Sequence, residues 1–143
     1  MERYKYNIGD VSDLTLGPIA FGATLWLEHK LIREVLKSYR MPMQLGRAAE
    51  LGAGYGRMTP ALAEFYSQVI GYEREREFVE AANQIYKDKV SFVHYEHVGR
   101  IPCPSEYFDL VMTFTFLQHL HSDELSHAVA EIKRMVKPTG LIL

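Results

Sequence analysis

The chain has 143 residues, 48% of them apolar and 24% charged, with a formal net charge of −2. That is the length and composition of one soluble globular domain. The balance gives no basic footprint for nucleic acid, and no apolar run reaches the length of a membrane span. The first ten residues, MERYKYNIGD, lack the apolar core of a signal peptide, and the single cysteine, Cys103, leaves no internal disulfide. A reducing, cytoplasmic setting follows as the expectation.

Residues 1–21 carry Tyr4, Tyr6, Gly9, Gly17 and Pro18 and read as an irregular aromatic arm. Over 23–40 the pattern turns helical: Leu27, Leu31 and Val35 recur at every fourth position, flanked by Ile32, Leu36 and Tyr39. Met41-Pro42 closes this helix, because the residue before proline is biased out of the helical region. Residues 1–44 therefore form an arm and helix, and 45–143 form the core domain.

Residues 45–51 read as a first strand, and residues 48–57 (AAELGAGYGR) hold Gly52, Gly54 and Gly56 in alternation. A helix is expected from Arg57, with Met58, Ala61, Leu62 and Phe65 on one face and free N–H groups at its start. Strand, glycine turn and helix together place a ligand site at the carboxyl end of the strand. Residues 68–72 (QVIGY) read as a second strand ending on Glu73, 21 positions after Gly52. That is near the spacing of about 20 for a carboxylate that accepts hydrogen bonds from ribose hydroxyls. The glycine spacing discriminates between cofactors. A dinucleotide fingerprint needs glycine at 57, where this chain has Arg57, and Glu50 would repel a pyrophosphate. A cofactor with a cationic amino-acid end fits G-x-G-x-G with Glu50 better.

Charged residues 73–77 lead into a helix over 78–87. Residues 90–95 (VSFVHY) alternate as a third strand, and 108–114 (FDLVMTF) form a nearly all-apolar fourth strand, as a buried parallel strand should. Ser122 is the expected N-cap of a last helix, with Asp123 and Glu124 in its first turn. Residues 138–140 (PTG) are expected as a turn, with a fifth strand from Leu141.

The glycine motif, F-D-L-V, Leu117-Gln118-His119-Leu120 and the closing EIKRMVKPTGLIL, in that order, resemble the class I S-adenosylmethionine-dependent methyltransferases. The resemblance covers about 45–143. It implies a Rossmann-like α/β fold with a mostly parallel sheet in the order 3-2-1-4-5. The family's sixth and seventh strands lie beyond the last residue, which makes the chain a fragment or an abbreviated member. It implies S-adenosyl-L-methionine as cofactor, held by Glu50, Gly52, Ala53, Gly54, Gly56, Glu73 and Arg74. It also implies an acidic residue after the third strand for the adenine amino group. His97 stands at that place with Glu96 beside it, and either could serve. Thr113 and Phe114 would border the methionine and methyl end. In relatives an N-terminal helix lies over the active-site mouth, which draws attention to Trp26 and His29.

Methyl transfer from a sulfonium needs alignment more than protein chemistry, and needs a general base only when the acceptor must lose a proton. His119, just beyond the fourth strand, is the candidate base; the other reading is a histidine that orders its loop. His94, His97, His119 and His121 lack a metal-binding spacing, so no metal is expected. Three functions stay open: a methyltransferase acting on a small molecule, a non-catalytic cofactor-binding or regulatory module, and a nicotinamide-dependent oxidoreductase. An uncovered fifth strand would offer an edge for self-association.

Overall fold

The computed structural model describes residues 17–39, 46–87 and 90–143. The chain divides into two compact units, Met1–Arg40 and Met41–Leu143. In the first, helix α1 runs over Gly17–Ser38. Within it Lys37 pairs with Glu34 at 3.1 Å, the Ser38 hydroxyl donates to the Val35 carbonyl, and the Lys30 ammonium lies 5.2 Å from the Trp26 ring centroid. The helix starts at Gly17, so residues 17–21 of the expected irregular arm are helical; the rest of that arm, 1–16, and the Met41-Pro42 stop lie outside the described residues.

The second unit is a five-stranded sheet: β1 (Arg47–Leu51), β2 (Gln68–Glu73), β3 (Ser91–His94), β4 (Phe108–Met112) and β5 (Val136–Ile142). The order is β3-β2-β1-β4-β5, every pair parallel. This is the expected Rossmann-like order. The connecting helices are α2 (Thr59–Leu62), α3 (Arg76–Ile85) and α4 (Ser122–Met135). Phe108, Leu110, Val111 and Met112 of β4 are fully buried, as are Ala48, Ala49 and Leu51 of β1. Each large apolar side chain so buried contributes about 1.5–3 kcal/mol. Tyr72 and Phe108 meet edge to face across the core at 6.1 Å. No helix of the described residues is long and apolar enough to cross a membrane.

At the amino end of the sheet Asp109 is the fastener. Its carboxylate accepts from the Arg47 N–H at 2.8 Å and from the Lys137 ammonium at 2.7 Å. Those bonds hold its carboxyl below the usual range against the opposing effect of burial. Arg134, near the end of α4, donates to the carbonyls of Ile101 and Cys103 and to the Glu131 carboxylate, which in turn accepts from the Ile101 N–H. That cluster anchors residues 101–105 to α4.

Several local expectations are corrected. The helix after the glycine turn is four residues long and begins at Thr59 rather than Arg57; Pro60 suits its first turn. The strand after α4 begins at Val136 rather than Leu141. Phe108 pairs Val136 and Leu110 pairs Leu141, so residues 137–140 lie opposite Asp109 alone. The expected turn is thus a bulge inside β5, where Pro138 costs no ladder bond. The N-cap of α4 is His121, one residue before Ser122, with Glu124 accepting the His121 N–H at 3.4 Å. The third strand covers only the middle of 90–95, and the fourth ends at Met112.

Candidate cofactor site

In a sheet of this order the connections reverse direction between β1 and β4, and ligands bind in the crevice outside the carboxyl ends there. The glycine turn follows β1 at that edge. Gly52, Gly54 and Gly56 all have positive φ, at +79°, +57° and +87°, but they do different things. A Cβ on Gly54 would meet nothing within 4 Å, so this glycine faces open space. A Cβ on Gly56 would come within 2.6 Å of the Phe92 ring and 2.7 Å of Tyr86. Gly56 therefore makes room for the aromatic pair that β3 and α3 press against the turn. A Cβ on Gly52 would lie 2.3 Å from the Phe116 ring. Of the three, only the middle glycine leaves open space where its side chain would be.

Glu73 closes the second side. At the end of β2 and 9% exposed, it accepts the Gly54 N–H at 2.7 Å through one oxygen. The other oxygen accepts from Arg74 N at 2.7 Å and Glu75 N at 2.9 Å. An ionised carboxylate has about four acceptor sites, so three protein bonds leave it able to take a further donor. Arg74 points to Glu124 at the start of α4, at 2.9 Å with both side chains mostly covered. The Tyr95 N–H donates to the Glu73 carbonyl, setting the end of β3 beside it.

Glu50 is 1% exposed and accepts the Thr59 hydroxyl at 2.5 Å. Burial pushes its pKa up to about 8, a shift that the Thr59 bond and the nearby Arg57 charge oppose and the Glu73 charge reinforces. A buried carboxyl of this kind gains most from a cationic ligand, which would favour its charged form.

Four of the turn's N–H groups are spent inside the protein. Gly52 and Ala53 both donate to the Tyr72 carbonyl, Gly54 to Glu73 and Gly56 to the Ala53 carbonyl. Pro60 brings no N–H at the start of α2. A phosphate needs such donors free, so the turn is poorly built for a pyrophosphate. An open glycine between two buried carboxyl groups fits a nucleoside with a cationic amino-acid end.

Other predicted residues lie along the same edge. Thr113 follows β4 and its N–H donates to the Leu143 carbonyl. The Arg57 guanidinium lies 5.5 Å from the centroid of Phe114, linking the segments after β1 and β4. His119 ends an exposed 3-10 turn, Leu117–His119, and its N–H donates to the Phe116 carbonyl. Glu96 and His97 are exposed just past β3, one strand beyond Glu73. Among the described residues, no three His, Cys, Asp or Glu side chains converge as metal ligands. Sequence reasoning missed Thr59 and Phe116. The first had a signal, a hydroxyl at the entry of the helix that must cross beneath Glu50; the second had none, because aromatic residues at a strand end usually read as core.

The methyltransferase domain family matches residues 49–143. The methyltransferase YcgJ of Bacillus subtilis, itself uncharacterized, is 29% identical over 100 residues, covering 68% of this chain and 39% of that protein. A S-adenosylmethionine-dependent methyltransferase from Leishmania major superposes with a TM-score of 0.76 at 19% identity, over 92% of this chain and 53% of its own. The phosphoethanolamine N-methyltransferase 1 of Haemonchus contortus, in complex with phosphoethanolamine and S-adenosylhomocysteine, gives 0.61 at 22% identity, over 70% and 22%. The chain spans about two fifths of the length of YcgJ. With the family match extending over two thirds of its residues and the sheet order in agreement, the chain belongs to the methyltransferase domain family of the S-adenosylmethionine-dependent fold.

Proposed function

We propose that this chain binds S-adenosyl-L-methionine at the glycine turn and serves methyl transfer to a small-molecule acceptor by in-line displacement. The observation that carries the reading is Glu73, held by the Gly54 N–H beside a glycine whose missing Cβ opens onto free space. Glu73 accepts the ribose hydroxyls, with bonds to a charged acceptor worth roughly 1.5–3 kcal/mol each. Glu50 faces the cationic amino-acid end. Gly52, Ala53 and Gly56 hold the turn's shape, and Arg74 fixes the end of β2 through Glu124. Glu96 or His97 takes the adenine edge, and Thr113 and Phe114 border the methionine end. The cofactor supplies a methyl carbon already activated by the sulfonium. The protein's part is to hold the acceptor in line and exclude water. His119 takes the proton of an acceptor that must lose one.

The core over 45–143 carries this chemistry. The single cysteine suits a cytoplasmic setting. Formation of S-adenosylhomocysteine, followed against a panel of small amine, hydroxyl and carbon acceptors, tests the reading. Turnover with one acceptor class supports it. A folded chain that binds cofactor but turns over no acceptor favours the binding-module reading.

A further inference from the structure

Phe116 lies four residues past β4, yet its ring rests on Gly52, past the end of β1. A Cβ on Gly52 would fall 2.3 Å from two ring carbons and 2.6 Å from the Phe116 Cβ. The contact spans the crevice between the carboxyl ends of β1 and β4, where the sheet order reverses. The residue before it, Thr115, is exposed and held at a φ of +54°. A β-branched residue adopts that conformation only under constraint, and such constraint gathers at functional sites. The strained turn is what swings Phe116 back onto the glycine turn. Leu117 and Leu120 pack with it against the core, so the ring is backed rather than loose.

We propose that Phe116 is a specificity-determining residue that fixes the room around the sulfur end of the cofactor. The inference rests on the S-adenosylmethionine reading of the site. With Glu73 marking the ribose side of the crevice, the amino-acid end runs toward β1 and β4, where Phe116 fills the space that Gly52 leaves. A wall built from a ring on a glycine is unyielding on both sides, because the ring is backed by core and the glycine backbone is held by the Tyr72 carbonyl. One added methylene against such a wall alters affinity by about tenfold or more.

The test titrates the full chain and its Phe116→Ala and Phe116→Leu variants with S-adenosylhomocysteine, S-adenosylmethionine and S-adenosylethionine. The parent chain should prefer the methyl over the ethyl sulfonium by about tenfold or more. Phe116→Ala should reduce that preference to about threefold or less, with Phe116→Leu between them. If the alanine variant does not fold, the leucine variant decides. A parent chain that does not discriminate, or variants that keep the parent's preference, would overturn the inference while leaving the cofactor reading intact. A folded parent chain that binds none of the three would remove the cofactor reading and this inference with it.

Discussion

The carboxylate of Glu73 accepts the backbone N–H of Gly54 at 2.7 Å. One side chain at the end of β2 thereby fixes the loop that follows β1, so the residue read as a ligand for ribose also shapes the ligand's cradle. Replacing Glu73 with Ala should weaken S-adenosylhomocysteine binding by about tenfold or more. It should also lower the melting temperature, because three backbone donors lose their acceptor. Calorimetric titration and thermal unfolding measure the two effects. Unchanged affinity in a folded variant would remove Glu73 from the site.

The three glycines should separate by substitution. Gly56→Ala meets Phe92 and Tyr86, and should cost about 1–3 kcal/mol of stability from overpacking. Gly54→Ala meets no atom and should cost only the strain of a positive φ, about 1–2 kcal/mol. Its larger effect should fall on cofactor affinity, since the new methyl group projects into the cradle. Equal losses of stability with equal losses of affinity would contradict this division of roles.

Glu50 makes stability depend on pH in a stated direction. Its folded pKa, raised by burial to about 8 from 4.5, means that the folded state holds a proton the unfolded state releases. Its contribution is therefore fully present below about pH 4.5 and is lost as pH rises toward 8. Glu50→Gln should flatten that part of the stability profile and be the more stable protein at pH 8. The same variant should bind S-adenosylmethionine more weakly, having lost a carboxylate that a cation can draw out. Denaturant unfolding between pH 5 and 8.5 tests the first effect; a parallel decline in parent and variant would mean that Glu50 is not the group responsible.

His119 is placed on an exposed turn three residues beyond Phe116. As a general base it should contribute about a hundredfold or more to the rate with an acceptor that must lose a proton. His119→Ala should then lower kcat and remove the acidic limb of the pH profile, where a general base is protonated, with little change in cofactor affinity. A rate and profile that both survive the substitution would make the residue structural.

The sequence carried the sheet order, the glycine turn and the carboxylate after β2, because each is written in local pattern: alternation, glycine spacing and the all-apolar β4. It carried less wherever a distant residue decides the outcome. That Gly56 serves Phe92 and Gly52 serves Phe116 depends on aromatic rings 36 and 64 positions away. The early start of β5 depends on Asp109 drawing Lys137 into the sheet. The short α2 was visible only in part, as Pro60 marks a first turn but not where the helix ends. Glu50 was legible as an acidic motif residue, yet its burial against Thr59 follows from the way α2 folds back over β1. Residues 1–16 of the aromatic arm and the proline stop after α1 lie outside the described residues.

The most direct test of the central claim is calorimetric titration of the folded 143-residue chain with S-adenosylmethionine, S-adenosylhomocysteine and NAD. The account predicts one-to-one binding of the first two and none of the third, since the glycines of the turn have spent their N–H groups on protein acceptors and Glu50 beside them would repel a pyrophosphate. Binding of NAD alone would contradict it, and would mean that the turn opens to a phosphate in a way its hydrogen bonds do not allow.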